Sequence, residues 1–176
     1  QAGKLEIPGI VLACDTQPVV VTKSPREWVE LKPRNIELEN VERLRAIDHC
    51  RVVRDCACEY AARCPDADFS LVETGAWLHD IGRSIDHSIR HAQAGADLLR
   101  SHGFPEKVVR IVECHLGAGL TAEECTALGL DARDCMPRTI EEKIVTHADN
   151  LIAGTTRVTI EESLASASHL SEEIRQ

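Results

Sequence analysis

A histidine and an aspartate, His79 and Asp80, stand side by side in the segment WLHDIGR, residues 77–83. Apolar residues recur at helical spacing ahead of the pair, so it falls at the end of a predicted helix, with Gly82 as the C′ residue that terminates it. A carboxylate in the last helical turn faces the negative end of the helix dipole, and a bound cation would reverse that unfavourable interaction. The pair would therefore offer a metal ion an imidazole and a carboxylate from adjacent positions.

Other side chains of the same two kinds lie on apolar faces of predicted helices. His49 shares a face with aliphatic residues, His115 ends the apolar stripe of its helix, and Asp149 lies beside the inward face of another. Each alone is commonly explained by a hydrogen bond, but burying an unpaired carboxylate costs several kcal/mol and an unpaired imidazole about 1–3 kcal/mol. A divalent cation would remove these costs together. With His91, at the start of the following helix, the candidate metal ligands are His49, His79, Asp80, His91, His115 and Asp149.

The residue types indicate which metals to expect. Four imidazoles and two carboxylates, without a thiolate, suit Fe, Mn, Co, Ni or Zn and do not distinguish among them. Six ligands are more than one tetrahedral ion needs. We therefore expect two divalent transition-metal ions, bridged by the carboxylate of Asp80.

Composition narrows the class of protein. The chain has 176 residues, 43% of them hydrophobic and 28% charged, which is ordinary for one globular domain. Its net charge of −9 argues against a nucleic-acid polymer or a membrane as partner, whereas a small phosphorylated substrate held by a few local cations fits. No segment approaches the ~20 apolar residues that span a bilayer, and no signal peptide is evident. We therefore expect a cytoplasmic protein whose eight cysteines are reduced.

Residues 1–35 are expected to form an N-terminal extension. Two β-rich runs, at 7–13 and 19–22, flank a group of turn residues, so a short β-hairpin followed by a short helix is predicted. A two-stranded hairpin is marginal by itself and must pack on another surface. The extension is therefore expected to be a structural appendage that packs on the helical body or, in a homo-oligomer, on another subunit.

Residues 36–176 predict an all-α domain. The first long helix covers about 37–64 and the second 66–80, and a loop at 83–87 precedes the helix that carries His91. Gly95, one turn into that helix, would let another segment approach closely. Capping boxes start three later helices, at Thr121, Thr139 and Thr159.

The ordered set of ligands resembles the HD-domain superfamily of metal-dependent phosphohydrolases. The resemblance is carried by His49, by the pair inside HDIG, by HAQAG at 91–95, by the dipeptide CH at 114–115 and by Asp149 inside THADN. It covers roughly residues 38–155 and is greatest toward small archaeal-type stand-alone HDIG proteins. The N-terminal hairpin departs from that short form.

The resemblance implies an all-α HD-domain helical bundle, to which the β-hairpin is appended. It implies one metal ion at His49, His79, Asp80 and Asp149, and a second at Asp80, His91 and His115. Phosphodiesterase relatives often carry lysine where this chain has Arg83. Arginine holds a phosphate well but is a poor proton donor at neutral pH, which favours a phosphate clamp at this position.

The implied reaction is hydrolysis of a phosphomonoester or phosphodiester of a small nucleotide-like or cyclic-phosphate molecule. A metal-activated hydroxide would attack phosphorus at the dinuclear site organised by Asp80. Arg83 would stabilise charge on the phosphoryl oxygens, and His87, four residues before His91, would protonate the leaving alkoxide. Dinuclear HD proteins also include mixed-valent di-iron oxygenases, and a non-catalytic nucleotide-binding module is a third alternative. The sequence leaves this choice open.

Overall fold

The computed structural model describes residues 39–166, and the predicted extension at 1–35, with the domain boundary that follows it, lies outside the described residues. Within 39–166 the chain is almost entirely helical, which confirms the all-α prediction. In chain order the elements are α1 (Glu39–Ala61), α2 (Phe69–Leu78), a 3₁₀ helix (Ile81–Ser84), α3 (His91–Ser101), α4 (Glu106–Glu113), α5 (Ala122–Ala127), α6 (Ile140–Asn150), β1 (Ile152–Ala153) and β2 (Thr156–Arg157). A last helical stretch, 160–166, follows. No helix in this part of the chain has the length and apolar character needed to cross a bilayer.

An aliphatic core holds the helices together. α1 packs against α2 and α6, and α3 packs against α4. Fully buried residues at their contacts include Val53, Val72, Leu99, Ile111 and Val145. Cysteine thiols were predicted to be reduced, and the structure has free thiols at Cys50, Cys56, Cys64, Cys114, Cys125 and Cys135.

The His-Asp pair follows the last turn of α2. Asp68 caps the start of this helix, because its carboxylate accepts a hydrogen bond from the Leu71 amide at 3.1 Å. The helix ends at Leu78, and His79 is the C-cap, with φ −52° and ψ −40°. The helix is therefore shorter at both ends than predicted, but the His-Asp pair still lies at its C-terminal end.

The role predicted for Gly82 is wrong. Gly82 is not a left-handed C′ residue; it lies in the 3₁₀ helix, which occupies part of the predicted loop. Glycine is required there by a close approach, since a Cβ at Gly82 would lie 1.9 Å from the His91 carbonyl oxygen. The close approach predicted at Gly95 is confirmed, because a Cβ there would lie 3.0 Å from the Gly82 amide nitrogen. The two glycines thus press the turn after Asp80 against the start of α3.

Capping boxes begin the later helices as predicted. At Thr121 and Thr139 the threonine hydroxyl accepts a hydrogen bond from the third residue of the helix, whose glutamate accepts one in return. Thr159 and Glu162 exchange the same pair of hydrogen bonds at the start of 160–166.

The sequence did not predict the hairpin of β1 and β2. Ile152 pairs with Arg157 and Ala153 with Thr156, and Gly154 turns the chain with φ +65°. Strands of two residues show no alternating pattern, so they are indistinguishable from a loop in sequence. The hairpin matters because it brings the Gly154 carbonyl oxygen to α1.

Candidate metal centre

The structure brings all six candidate metal ligands together, and we call these six side chains the ligand cluster. They are His49 in α1, His79 and Asp80 directly after α2, His91 at the start of α3, His115 just beyond α4, and Asp149 in the last turn of α6. Residues up to 100 positions apart in sequence therefore meet in one place.

One half of the cluster, which we call site 1, consists of His49, His79, Asp80 and Asp149. Asp149 Oδ1 lies 2.9 Å from His49 Nε2 and 3.5 Å from His79 Nε2. Asp80 Oδ2 lies 3.9 Å from His79 Nε2. The ligand atoms of His49, His79 and Asp80 all lie within 4.8 Å of one another, which is close enough for one ion.

The other half, which we call site 2, consists of Asp80, His91 and His115. Asp80 Oδ1 lies 3.1 Å from His91 Nε2 and 3.6 Å from His115 Nε2, and the two Nε2 atoms are 3.1 Å apart. Asp80 thus turns Oδ2 toward site 1 and Oδ1 toward site 2. This is the arrangement that a bridging carboxylate requires.

All four imidazoles of the cluster are oriented in the same way, through a hydrogen bond from Nδ1 to a backbone carbonyl group. The pairs are His49 with Gly154 at 2.6 Å, His79 with Ala76 at 2.8 Å, His91 with Ser88 at 2.6 Å and His115 with Val112 at 2.7 Å. A carbonyl oxygen only accepts, so each ring must carry a proton on Nδ1, and a neutral ring then has its lone pair on Nε2. When all four rings are neutral, as metal binding requires, four lone pairs point into the cluster.

This orientation is unfavourable without a cation. His79 Nε2 is buried and has no hydrogen-bond partner among the described residues, and the Nε2 atoms of His91 and His115 face each other. The His79 side chain is 0% exposed and that of Asp80 6%, so bulk water does not compensate them. Buried lone pairs beside buried carboxylates fit a divalent transition metal, and carbonyl groups behind the rings are its usual supporting shell.

The electrostatics of the cluster favour positive charge. Burial would raise the pKa of Asp80, but contacts with His115 and His91 outweigh it and hold this pKa well below its ordinary range. Burial would lower the pKa of His79, but Cys50 and Asp149 outweigh it and raise this pKa. Burial does lower the pKa of His115, which keeps that ring neutral and its lone pair available.

Helix ends contribute to the same field. α2 and α4 end at the cluster, and α6 contributes Asp149 from its last turn, so three C-terminal helix ends face it, whereas only α3 presents its N-terminal end. The carbonyl end of a helix carries partial negative charge, which attracts cations. Two of the carbonyl groups that accept from imidazoles, those of Ala76 and Val112, belong to such last turns.

The cluster is open on one side. His49 and Asp149 were expected on buried faces, and they do face the cluster, but at its rim, where their side chains are 17% and 20% exposed. Arg83 is also partly exposed, at 39%, and forms an ion pair with Asp80, in which its Nε lies 2.7 Å from Oδ2. His87 is exposed in the connection before α3 and takes no part in the cluster's hydrogen bonds within residues 39–166. Its role as an acid stays a prediction.

The groups that orient the ligands were missed by sequence reasoning. Four of them are backbone carbonyl oxygens, for which a residue type gives no signal. Two more are side chains of α6, Thr146 and Asn150, which contact the segment around His115. The only available signal was that Asn150 directly follows a candidate ligand.

Known proteins are similar to this chain in sequence. The HD domain family model matches residues 46–154. An uncharacterized protein of Methanocaldococcus jannaschii is 47% identical over 133 residues, which are 73% of this chain and 76% of that protein. The tRNA (cytidine(56)-2′-O)-methyltransferase of Thermoplasma volcanium is 47% identical over 116 residues, which are 66% of this chain but 34% of that enzyme.

A solved structure shares the fold. The HD domain of the L. monocytogenes phosphodiesterase PgpH matches with a TM-score of 0.52 and 19% sequence identity, over 73% of this chain and 78% of that one. The family match spans every member of the ligand cluster, from His49 to Asp149, and covers more than half of the sequence. The chain therefore belongs to the HD domain family.

Proposed function

We propose that this protein is a metal-dependent phosphohydrolase that cleaves a phosphomonoester or phosphodiester of a small nucleotide-like or cyclic-phosphate molecule. The observation that carries the proposal is the convergence of four imidazole Nε2 atoms on two carboxylates, with Asp80 turning one oxygen to each site. Membership of the HD domain family supports it, and the PgpH relative in fold is itself named a phosphodiesterase.

Two divalent ions are proposed, one at site 1 and one at site 2. Bound ions would supply Lewis acidity, which lowers the pKa of a water molecule and offsets charge on phosphoryl oxygens. The protein contributes fixed imidazoles, held in one tautomer by the carbonyl groups behind them. The rim formed by His49 and Asp149 is the side from which a phosphate would approach.

Arg83 is proposed as the phosphate clamp. Its Nε forms the ion pair with Asp80, and in the described part of the chain its Nη groups have no ion-pair partner. These groups are therefore available to donate to phosphoryl oxygens at the opening. A guanidinium stays charged at neutral pH, so it stabilises negative charge but does not deliver a proton. His87, exposed between Arg83 and His91, is the proposed donor of a proton to the leaving alkoxide.

The match to a methyltransferase does not imply that this chain catalyses methylation. The matched segment is 34% of that enzyme, so the similarity is that of one shared domain. A net charge of −9 favours a small substrate over a nucleic-acid polymer.

A metal add-back assay tests the proposal. The protein is stripped with a chelator, and Mn, Fe, Co, Ni, Zn or Mg is restored singly before assay against phosphomonoesters, phosphodiesters and cyclic dinucleotides. We expect hydrolysis only after metal is restored. Oxygen uptake is followed in the same samples, and iron-dependent uptake without hydrolysis would instead identify the di-iron oxygenase alternative.

His102 provides a matched control for the ligand histidines. Like the cluster imidazoles, it bonds a backbone carbonyl through Nδ1, that of Leu98 at 2.9 Å, but it is exposed at the end of α3. His79→Ala should abolish metal-dependent hydrolysis, whereas His102→Ala should retain it. Equal loss in both variants would contradict a specific role for the cluster.

A further inference from the structure

His115 lies beyond the end of its helix, as His79 and Asp80 do. The last helical hydrogen bond of α4 is donated by the Cys114 amide to the Arg110 carbonyl at 3.1 Å, and His115 follows it outside the helix. His49, His91 and Asp149 lie within helices. His115 therefore needs support from elsewhere in order to keep Nε2 directed at Asp80.

Two side chains of α6 supply that support. The buried Thr146 hydroxyl donates to the Cys114 carbonyl oxygen at 3.3 Å. The Asn150 side-chain amide donates to the carbonyl oxygen of Gly117. Thr146 and Asn150 are four residues apart and so share one face of α6. They hold the backbone just before His115 and two residues after it.

The same helix carries a ligand of the other site. Asp149, which belongs to site 1, lies between the two clamping residues in sequence. A single rigid element thus positions a side chain of site 1 and the backbone of site 2. Neither Thr146 nor Asn150 is a member of the ligand cluster.

We propose that Thr146 and Asn150 are positioning residues that set the metal affinity of site 2 by fixing His115. This inference rests on the proposed function, because it requires an ion at site 2. The alternative is that Thr146 only satisfies one of the carbonyl groups left unpaired at the end of α4. That alternative predicts lower stability without a selective effect on one site.

Manganese titration of four variants separates these possibilities. Thr146→Val keeps the shape of the side chain and removes the hydroxyl, Asn150→Ala removes the amide, and Thr146→Ser restores a donor. Lys143→Ala, an exposed position on the same helix, is the control. Binding of Mn²⁺ is measured by calorimetry, and paired ions are detected by the coupled electron paramagnetic resonance signal of two neighbouring Mn²⁺ ions.

We expect Thr146→Val and Asn150→Ala each to weaken the second Mn²⁺ by about tenfold while the first stays within about twofold of the wild type, as for other groups that orient ligands. The coupled signal should give way to a single-ion spectrum at the same Mn²⁺ concentration. Thr146→Ser and Lys143→Ala should keep the coupled signal.

Three results would overturn the inference alone: unchanged affinity for the second ion, equal weakening of both ions, or a Thr146→Ser variant as impaired as Thr146→Val. A wild-type chain that binds neither Mn²⁺ nor any other divalent ion of the add-back assay would overturn the proposed function and this inference with it.

Discussion

Two regions of this protein bury carboxylates, and they neutralise them by different means. In the first, which we call the arginine cluster, the side chain of Glu113 is only 4% exposed. It is contacted by Arg100 at 2.9 Å, Arg110 at 3.1 Å and Arg133 at 3.3 Å. These guanidinium groups carry permanent charge, so this carboxylate is fully compensated by the chain itself.

The ligand cluster lacks such compensation. Asp149 faces imidazoles, and Asp80 faces imidazoles and one partly exposed arginine, Arg83. Neutral imidazoles that donate from Nδ1 to carbonyl groups present lone pairs, not charge, to these carboxylates. The deficit of positive charge is what an ion would supply.

The contrast is sharpest at the end of α4. Glu113 is the last residue of this helix, and His115 lies two residues later. One helix end thus serves an ion-pair network neutralised by the chain's own charges and a cluster for which a cation is proposed. Burial of a carboxylate therefore does not by itself indicate a metal site. What indicates one is the identity and orientation of the side chains around the carboxylate.

The largest expected effect comes from removing the bridging charge. Asp80→Asn should lower phosphohydrolase activity by about 10³-fold, because several kcal/mol of transition-state stabilisation depend on the ions it holds. Activity after metal addition and Mn²⁺ titration provide the measurements, and wild-type activity in this variant would contradict the bridging role.

Glu113→Gln should lower the stability of the fold and leave metal binding unchanged. Removing the carboxylate leaves three arginines around a neutral group, and breaking a buried ion pair costs about 3 kcal/mol. Metal affinity should stay unchanged, because no member of the ligand cluster contacts Glu113 in the described part of the chain. Urea unfolding and Mn²⁺ titration measure the two quantities. Loss of metal affinity without loss of stability would show that the two clusters are not independent.

A smaller effect is expected from Arg83, the arginine beside the ligand cluster. Arg83→Gln should lower kcat/KM by about 50-fold, less than for a fully buried donor because Arg83 is 39% exposed. Metal content should be retained, and Arg83→Lys should recover part of the activity through its charge. Steady-state kinetics at saturating metal provide the measurement. Full activity in Arg83→Gln would exclude the phosphate clamp.

The smallest expected effect is a pH dependence of the arginine cluster. Burial would raise the pKa of Glu113, but Arg100 and its neighbours outweigh it and lower this pKa below its ordinary value of 4.5. The folded form therefore binds a proton less readily than the unfolded form, so this stabilisation is present above pH 4.5 and is lost as the pH falls further. The stability difference between wild type and Glu113→Gln should be constant from about pH 5 to 7 and shrink below about pH 4.5. A difference that grows in acid would contradict the assigned sign.

The ligand set was accessible from sequence because its members interrupt apolar stripes at helical spacing. His115 and Asp149 stand out as polar side chains among aliphatic residues, and the HDIG segment fixes the helix end where the pair lies. Capping boxes likewise predict where a helix begins from residue types alone, and these predictions are confirmed at Thr121 and Thr139.

Other features depend on backbone geometry and long-range contacts, which residue types do not encode. Gly82 looks like a helix terminator in sequence, but its need for glycine comes from a backbone that lies next to it only in the folded chain. The arginine cluster gathers charges that are up to 33 positions apart and follow no local pattern. The hairpin that delivers the Gly154 carbonyl to His49 is too short to leave a periodic signal.

The most direct measurement of the central claim is anomalous diffraction from crystals of the protein soaked in Mn²⁺. We predict two anomalous peaks on either side of the Asp80 carboxylate, one within ligand distance of His49, His79 and Asp149, and the other within ligand distance of His91 and His115. Absence of any peak inside the ligand cluster, in a protein that still hydrolyses phosphate esters, would contradict the account.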